Sequence, residues 1–135
     1  MDVFSTVAAV IGLCSTLVQC IGKFVSQVGA HEVVNSLRKD LQELFRELEL
    51  LHAELPRDVR LEHQIEEGVM EVSHDCQNEL SKLRFIIPEE SSNRIWRTIK
   101  NEFMLKAQNG EVLHVQQRIA RYQHSIHFYM TLVKA

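Results

Sequence analysis

An all-α fold is what the sequence predicts: an antiparallel helical bundle of four long helices plus one shorter helix, forming a single domain over residues 1–135. Three observations carry that expectation. Apolar residues recur at alternating spacings of three and four through most of the chain, as one buried helix face requires. No stretch shows the period-two alternation of a half-buried strand. Two prolines and five glycines leave few places to turn, so the helices must be long.

The first helix is expected over residues 1–28. Residues 3–22 read VFSTVAAVIGLCSTLVQCIG and carry no charged side chain. A run of ~20 predominantly apolar residues is long enough to cross a bilayer as a helix. Val7, Cys14, Ile21 and Val28 recur every seven residues, with Val10, Leu17 and Phe24 three further on and Ile11, Val18 and Val25 four further on. That stripe suits a core. The opposite face is small and weakly polar, where a surface helix normally carries long charged residues. Ala8, Gly12 and Thr16 are spaced by four, as are Gly22 and Ser26, and small residues at that spacing let helices approach closely. A central position in the bundle, covered on several sides, is the simplest explanation of such a helix. The second is that it serves both in a bundle and in lipid.

The second helix is expected over 31–55. Val34, Leu37, Leu41, Leu44, Leu48, Leu51 and Leu55 form a strict seam. Arg38, Lys39, Asp40, Glu43, Arg46, Glu47 and Glu54 make a solvated outer face, and Pro56 ends the helix. The third, over 58–87 with Asp58 as cap, aligns Leu61, Ile65, Val69, Val72, Cys76, Leu80 and Leu83. Pro88 opens a loop that Ser92 or Asn93 closes as the next cap. The shorter fourth helix, 94–108, aligns Ile95, Ile99 and Phe103 beside Trp96 and Met104. Asn109-Gly110 reads as a turn. The fifth, 111–133, aligns Val112, Val115, Ile119, Tyr122, Ile126, Tyr129 and Val133. Joints this short predict that sequential helices lie side by side in opposite directions.

Charge is mild overall, at −3, but uneven. Residues 31–88 hold seven basic and thirteen acidic side chains, whereas residues 89–135 hold seven basic and four acidic. Nothing here demands nucleic acid. Trp96 among Arg94, Arg97 and Lys100 reads as an aromatic packed over the bundle end. Three cysteines, odd in number and without a CxxC pair, read as small thiols of a reducing compartment, not as a disulfide framework. Met1-Asp2 lacks the basic start of a secretory signal.

Metal and catalytic chemistry fail on helical geometry. Glu71 with His74, and Glu111 with His114, match the Glu-x-x-His spacing of di-iron bundles. At about 100° per residue, both pairs point away from the apolar faces. His124 and His127 alone leave a zinc site short of ligands. Cys76 and His74 fall on different faces, and no glycine-rich phosphate loop is present. No enzyme, cofactor, metal or small-molecule substrate is expected.

The opening MDVFSTVAAVIGLCSTLVQCIGKFVSQV resembles the start of the fungal HeLo-like domain, the N-terminal domain of many fungal NLR-like (STAND) receptors. The resemblance continues through VVNSLRKDLQELFRELELLHAEL, weakens over 57–88, and returns at Ile95-Trp96 and in the ending HFYMTLV. It implies a HeLo-related bundle, similar in architecture to the killer domain of a necroptosis pseudokinase and to plant resistosome coiled-coil domains. It implies a membrane-targeting cell-death effector in heterokaryon incompatibility or innate immunity, acting as a homo-oligomer. The regulator would be an NLR or amyloid-signalling partner in cis or in trans, and the protein would be cytoplasmic until it relocates to the plasma membrane. No Walker A motif or amyloid repeat lies in these residues, so the chain looks like an isolated N-terminal domain or a small protein reduced to one. Family members carry acidic residues early in the first helix. Here only Asp2 stands there, and no selectivity glutamate maps onto the chain.

The insertion residues expected on this reading are Val3, Phe4, Val7, Val10, Ile11, Leu13, Leu17, Val18 and Ile21. Ala8, Gly12, Thr16, Gly22 and Ser26 would pack copies together, and Arg94, Arg97, Lys100, Lys106, Arg118 and Arg121 would meet anionic lipid. The alternative is a helical protein-interaction or oligomerisation module without membrane activity.

Overall fold

The computed structural model describes residues 2–28, 32–56, 61–87 and 93–134, without the side chains of 27, 28, 86 and 93–100. Among the described residues there are five helices and no strand: α1 (Val3–Val28), α2 (Glu32–Glu54), α3 (His63–Ile86), α4 (Asn93–Gln108) and α5 (Glu111–Lys134). The all-α expectation is met.

The seams become the core. All seven predicted α2 positions, Val34 through Leu55, are buried. Val7, Val10, Cys14, Leu17, Ile21 and Phe24 are buried from α1, and Val112, Val115, Ile119 and Ile126 from α5. From α3 come Val69, Cys76, Leu80 and Leu83, with Leu61, Ile65 and Val72 packed at the margin.

Four helices form a closed ring of interfaces in which α1 meets α2 and α3, while α5 meets the same two from the other side. α2 and α3 share no comparable interface. This departs from the expectation that consecutive helices sit side by side. The leucine seam of α2 is filled by α1 and α5 instead. Specific contacts set the registers. Phe4 stacks on His52 with ring centroids 3.9 Å apart, and the Cys14 thiol donates to the Leu41 carbonyl at 3.3 Å. Gly22 lies under the Arg38 guanidinium. Positions on α2 therefore fall as those on α1 rise. Glu79 meets Arg118 and Gly68 meets Tyr129, so α3 and α5 also run in opposite senses. Asp40 with Gln116, Glu47 with His127 and Glu54 with Lys134 rise together along α2 and α5.

α4 lies outside the ring. It packs on α5 and touches α1 through Phe103, whose ring meets Phe24 edge-on at 4.9 Å. Asn109-Gly110 is the predicted turn. Gly110 has φ +84°, a left-handed conformation that favours glycine, and its carbonyl accepts the His114 amide at 3.1 Å.

One boundary differs from expectation. α3 begins at His63, not near 58, because Leu61 enters the core margin and Glu62 is extended (φ −52°, ψ 138°) as N-cap. The cap assigned to Asp58 lies outside the described residues, as does the loop at 88–92. At Gly68, buried against α5, any Cβ would meet the phenol of Tyr129. Glycine here exchanges helix propensity for close approach of α3 to α5. A double-mutant cycle on Gly68→Ala and Tyr129→Ala should therefore show Gly68→Ala better tolerated once the ring is gone. The expected coupling is about 1 kcal/mol in denaturant unfolding, and additivity would contradict this packing.

Candidate functional site

α1 is two-faced, and its outer face is bare. Ala8, Ala9, Gly12, Gln19, Lys23 and Ser26 are exposed, and Ser15, Thr16 and Gly22 are half-buried. No atom lies within 4 Å of where a side chain would begin at Gly12. α1 is therefore a peripheral helix of the ring, not a central one covered on several sides. Val3–Ser26 is long and apolar enough to cross a membrane, yet only 33% of its most apolar stretch is buried. A buried core helix passes the same length test. What distinguishes α1 is that the rest of that stretch is half-buried or exposed, with no charged residue up to Gly22.

Of the expected insertion residues, Val3, Val7, Val10, Leu17 and Ile21 lie in the core. Phe4, Ile11, Leu13 and Val18 sit half-buried at its edge. α1 would have to rotate or leave the bundle for its apolar stripe to meet lipid. In the small-residue row, Ala8, Gly12 and Ser26 are exposed and Thr16 is half-buried, with its hydroxyl turned back to the Gly12 carbonyl at 3.0 Å. Gly22 is covered by Arg38.

The start of α1 is capped. The Ser5 amide donates to Asp2 Oδ1 at 2.6 Å, which holds the Asp2 carboxyl below the ordinary aspartate range. Because that value is lowered on folding, the cap's contribution is present at neutral pH and is lost as pH falls through the lowered value. Thr6, buried beneath it, donates its hydroxyl to the Asp2 carbonyl at 2.8 Å.

The α1–α2 interface also holds imperfect contacts. Arg38 Nε and His52 Nε2 are both buried without a hydrogen-bond partner, and both side chains lie against α1. Each such group costs about 1–3 kcal/mol relative to a hydrated one. Arg38 and Glu47 were expected on a solvated face. They are half-buried instead, because α1 and α5 close over the flanks of the leucine seam.

Of the six basic residues expected at anionic lipid, Lys106, Arg118 and Arg121 have described side chains. Arg118 is committed to buried Glu79, its Nη1 lying 2.9 and 3.0 Å from the two carboxylate oxygens. Arg121 is exposed and Lys106 half-exposed. The side chains of Arg94, Arg97 and Lys100, and of Trp96, lie outside the described residues. Glu79 and Ser73 are buried polar groups that the face assignment omitted. Both fall three or four residues from Cys76, so the signal was present in the spacing but masked by residue type.

No arrangement for catalysis forms among the described residues. No group of three or more His, Cys, Asp or Glu side chains converges to hold a metal. Glu71, His74, Glu111, His114 and His124 are exposed. Around Leu48, Val69, Cys76 and Tyr129 the core closes without room for a water. A shallow groove of about 210 Å³ at His127, Met130, Thr131 and Lys134 is open to solvent, with its His127 and Lys134 paired to Glu47 and Glu54. Comparison with protein-family models, curated proteins and solved structures finds no match.

Free Cys14 and Cys76 are buried, and Cys20 is half-buried. Burial pushes the Cys76 thiol up to about 12, with Cys14, Glu79 and Asp75 adding to the effect. Thiolate is the reactive form. At mildly alkaline pH an aromatic disulfide reagent should label Cys20 rapidly, and Cys14 and Cys76 only after unfolding. Rapid labelling of all three in the native state would contradict the packing of α1 on α3.

Proposed function

We propose that this chain is a HeLo-like, membrane-targeting cell-death effector domain of a fungal NLR-like, heterokaryon-incompatibility system. It acts by oligomerisation and insertion of α1. The observation that carries the reading is the composition of α1 together with its placement. Residues 3–22 are uncharged, the outer face is small and bare, and the inner face is a continuous apolar stripe.

The mechanism follows from exchange of environments. Inside the bundle the stripe is covered by α2 and α3. In a bilayer it would be covered by lipid, while the small face would let copies of α1 pack closely. A charged residue at a span's centre costs about 2.5–3.5 kcal/mol on insertion scales, and α1 has none. Leaving the bundle bares the α1-facing sides of α2 and α3, so release is favoured where several copies cover one another. The partly unsatisfied Arg38 and His52 contacts lower the cost of release. A HeLo-like bundle, held in the cytoplasm until a partner in cis or in trans drives assembly at the plasma membrane, belongs to the same reading. Enzymatic chemistry has no part in it. The rival is an interaction module whose α1 never leaves. It is favoured by the depth at which Val7 through Phe24 are buried.

The exposed outer face gives a test that spares the fold. Leu17→Glu would place a charge in the core and unfold the bundle. Gly12→Asp puts a carboxylate into open space in the closed state and into hydrocarbon in the inserted one. The variant should retain the wild-type melting temperature while leakage of anionic liposomes by the oligomerised domain falls at least tenfold, as the cost on insertion scales implies. Equal leakage by wild type and variant, or none by an oligomerised wild type, would defeat the proposal.

A further inference from the structure

Among the described residues the bundle is polar along its long axis: one end carries the most exposed aromatic side chain beside basic residues, and the other is acidic. Phe85, near the end of α3, is 91% exposed. A phenylalanine in water on a helix is an uncompensated loss of burial, and the described residues leave this one uncovered. The register set by Glu79 with Arg118 and Gly68 with Tyr129 puts position 85 level with position 112. Leu113, 56% exposed, therefore lies at the same axial height on α5, and Leu105, 57% exposed, sits just before the two-residue turn that joins α4 to α5. Among the described residues, three of the five large exposed apolar side chains thus share one end of the molecule. Leu50 and Phe128 lie elsewhere.

Charge follows the same axis. Among the described side chains of 82–113, at this end, Lys82, Arg84 and Lys106 are basic and Glu102 and Glu111 are acidic. The described residues of 49–75, at the opposite end, hold seven acidic side chains (Glu49, Glu54, Glu62, Glu66, Glu67, Glu71 and Asp75) and no lysine or arginine. Lys82 and Arg84 immediately precede Phe85, and both are exposed. Lys106 follows Leu105. Glu102 and Glu111 are exposed.

We infer that this end, built on Phe85, Leu113 and Leu105 with Lys82, Arg84 and Lys106, is a docking surface for an anionic lipid bilayer in the closed state, before α1 moves. The inference rests on the membrane reading above and adds the surface and the orientation. Charge complementarity selects the occupant. An anionic surface attracts the basic end and repels the acidic one, so the molecule is oriented as it approaches. Isolated large apolar side chains among cations insert at the headgroup level, where ring and aliphatic chain reach acyl carbons and the charges stay among phosphates. The docked orientation places the end of α1 that carries Phe24 nearest the membrane.

The test is co-sedimentation of the full chain with phosphatidylcholine vesicles made with and without phosphatidylserine. Wild type should bind the anionic vesicles and bind the neutral ones at least tenfold more weakly. Phe85→Ser with Leu113→Ser should reduce binding roughly tenfold or more, with an unchanged circular dichroism spectrum and melting temperature. Lys82→Glu with Lys106→Glu should reduce it by at least about tenfold. Gly12→Asp should bind like wild type, which separates docking from the leakage step. Wild-type binding by the Phe85/Leu113 variant, or equal binding to neutral vesicles, would overturn the inference even if Gly12→Asp abolishes leakage. A concentration-dependent dimer that this variant abolishes, without vesicle binding by wild type, would overturn it in favour of a second copy as occupant.

Discussion

Everything in this fold depends on covering one stripe. Val7, Val10, Cys14, Leu17, Ile21 and Phe24 fill the channel between α2 and α3, and these two helices have no comparable interface with each other. Without α1 the ring is open, and the faces of α2 and α3 that α1 covers meet water. Fully burying one large aliphatic or aromatic side chain gains about 1.5–3 kcal/mol. The stripe therefore holds α1 firmly as long as the only alternative is water. Lipid changes the comparison, because an acyl environment is as apolar as the core.

What keeps such a helix soluble is the face it shows to water. Alanine, glycine, serine, threonine and glutamine expose little apolar area per residue and bring no charge. α1 can therefore stand at the edge of a bundle without the charged coat that α2 and α3 carry. The same choice removes the main electrostatic barrier to crossing a bilayer. The contacts that fix α1 are unequal in quality. The Asp2 cap and the Cys14 thiol to Leu41 carbonyl bond are satisfied. The Arg38 and His52 contacts each leave a buried nitrogen unpaired. A helix held by apolar cover and by polar contacts that improve on hydration is suited to staying put in one solvent and leaving in another.

Much of this was legible in the residues. The strict α2 seam left no freedom, and all seven positions are buried. The solvent-facing placement of Glu71, His74 and His114 followed from helical angles alone. Periodicity identifies a buried face, but not the neighbour that covers it. That is why the ring order, with α2 and α3 not sharing a substantial interface, differed from the order expected of short joints. The same limit explains why α1 was expected under cover on several sides. The size and polarity of its outer residues permit burial or exposure equally, and only the placement of other helices decides. Glu79 fell on the α3 pattern yet reads as surface by type. It is buried because Arg118, from a helix thirty-nine positions away, neutralises it. Phe85 lies about 200° round the helix from the seam position Leu83, so its exposure was legible in the angles, although its residue type reads as core.

The central claim is that α1 belongs to two environments, the bundle and the bilayer. Hydrogen exchange resolved along the chain, on the oligomerised protein with and without anionic vesicles, tests it directly. In solution the amides of residues 7–24 should be as protected as those of α2. With vesicles, the side chains of α2 and α3 that face α1 should become accessible to thiol or carbene footprinting while the α1 amides remain protected in lipid. Identical exchange and footprinting patterns with and without vesicles would mean that α1 never leaves the bundle, and would contradict the account.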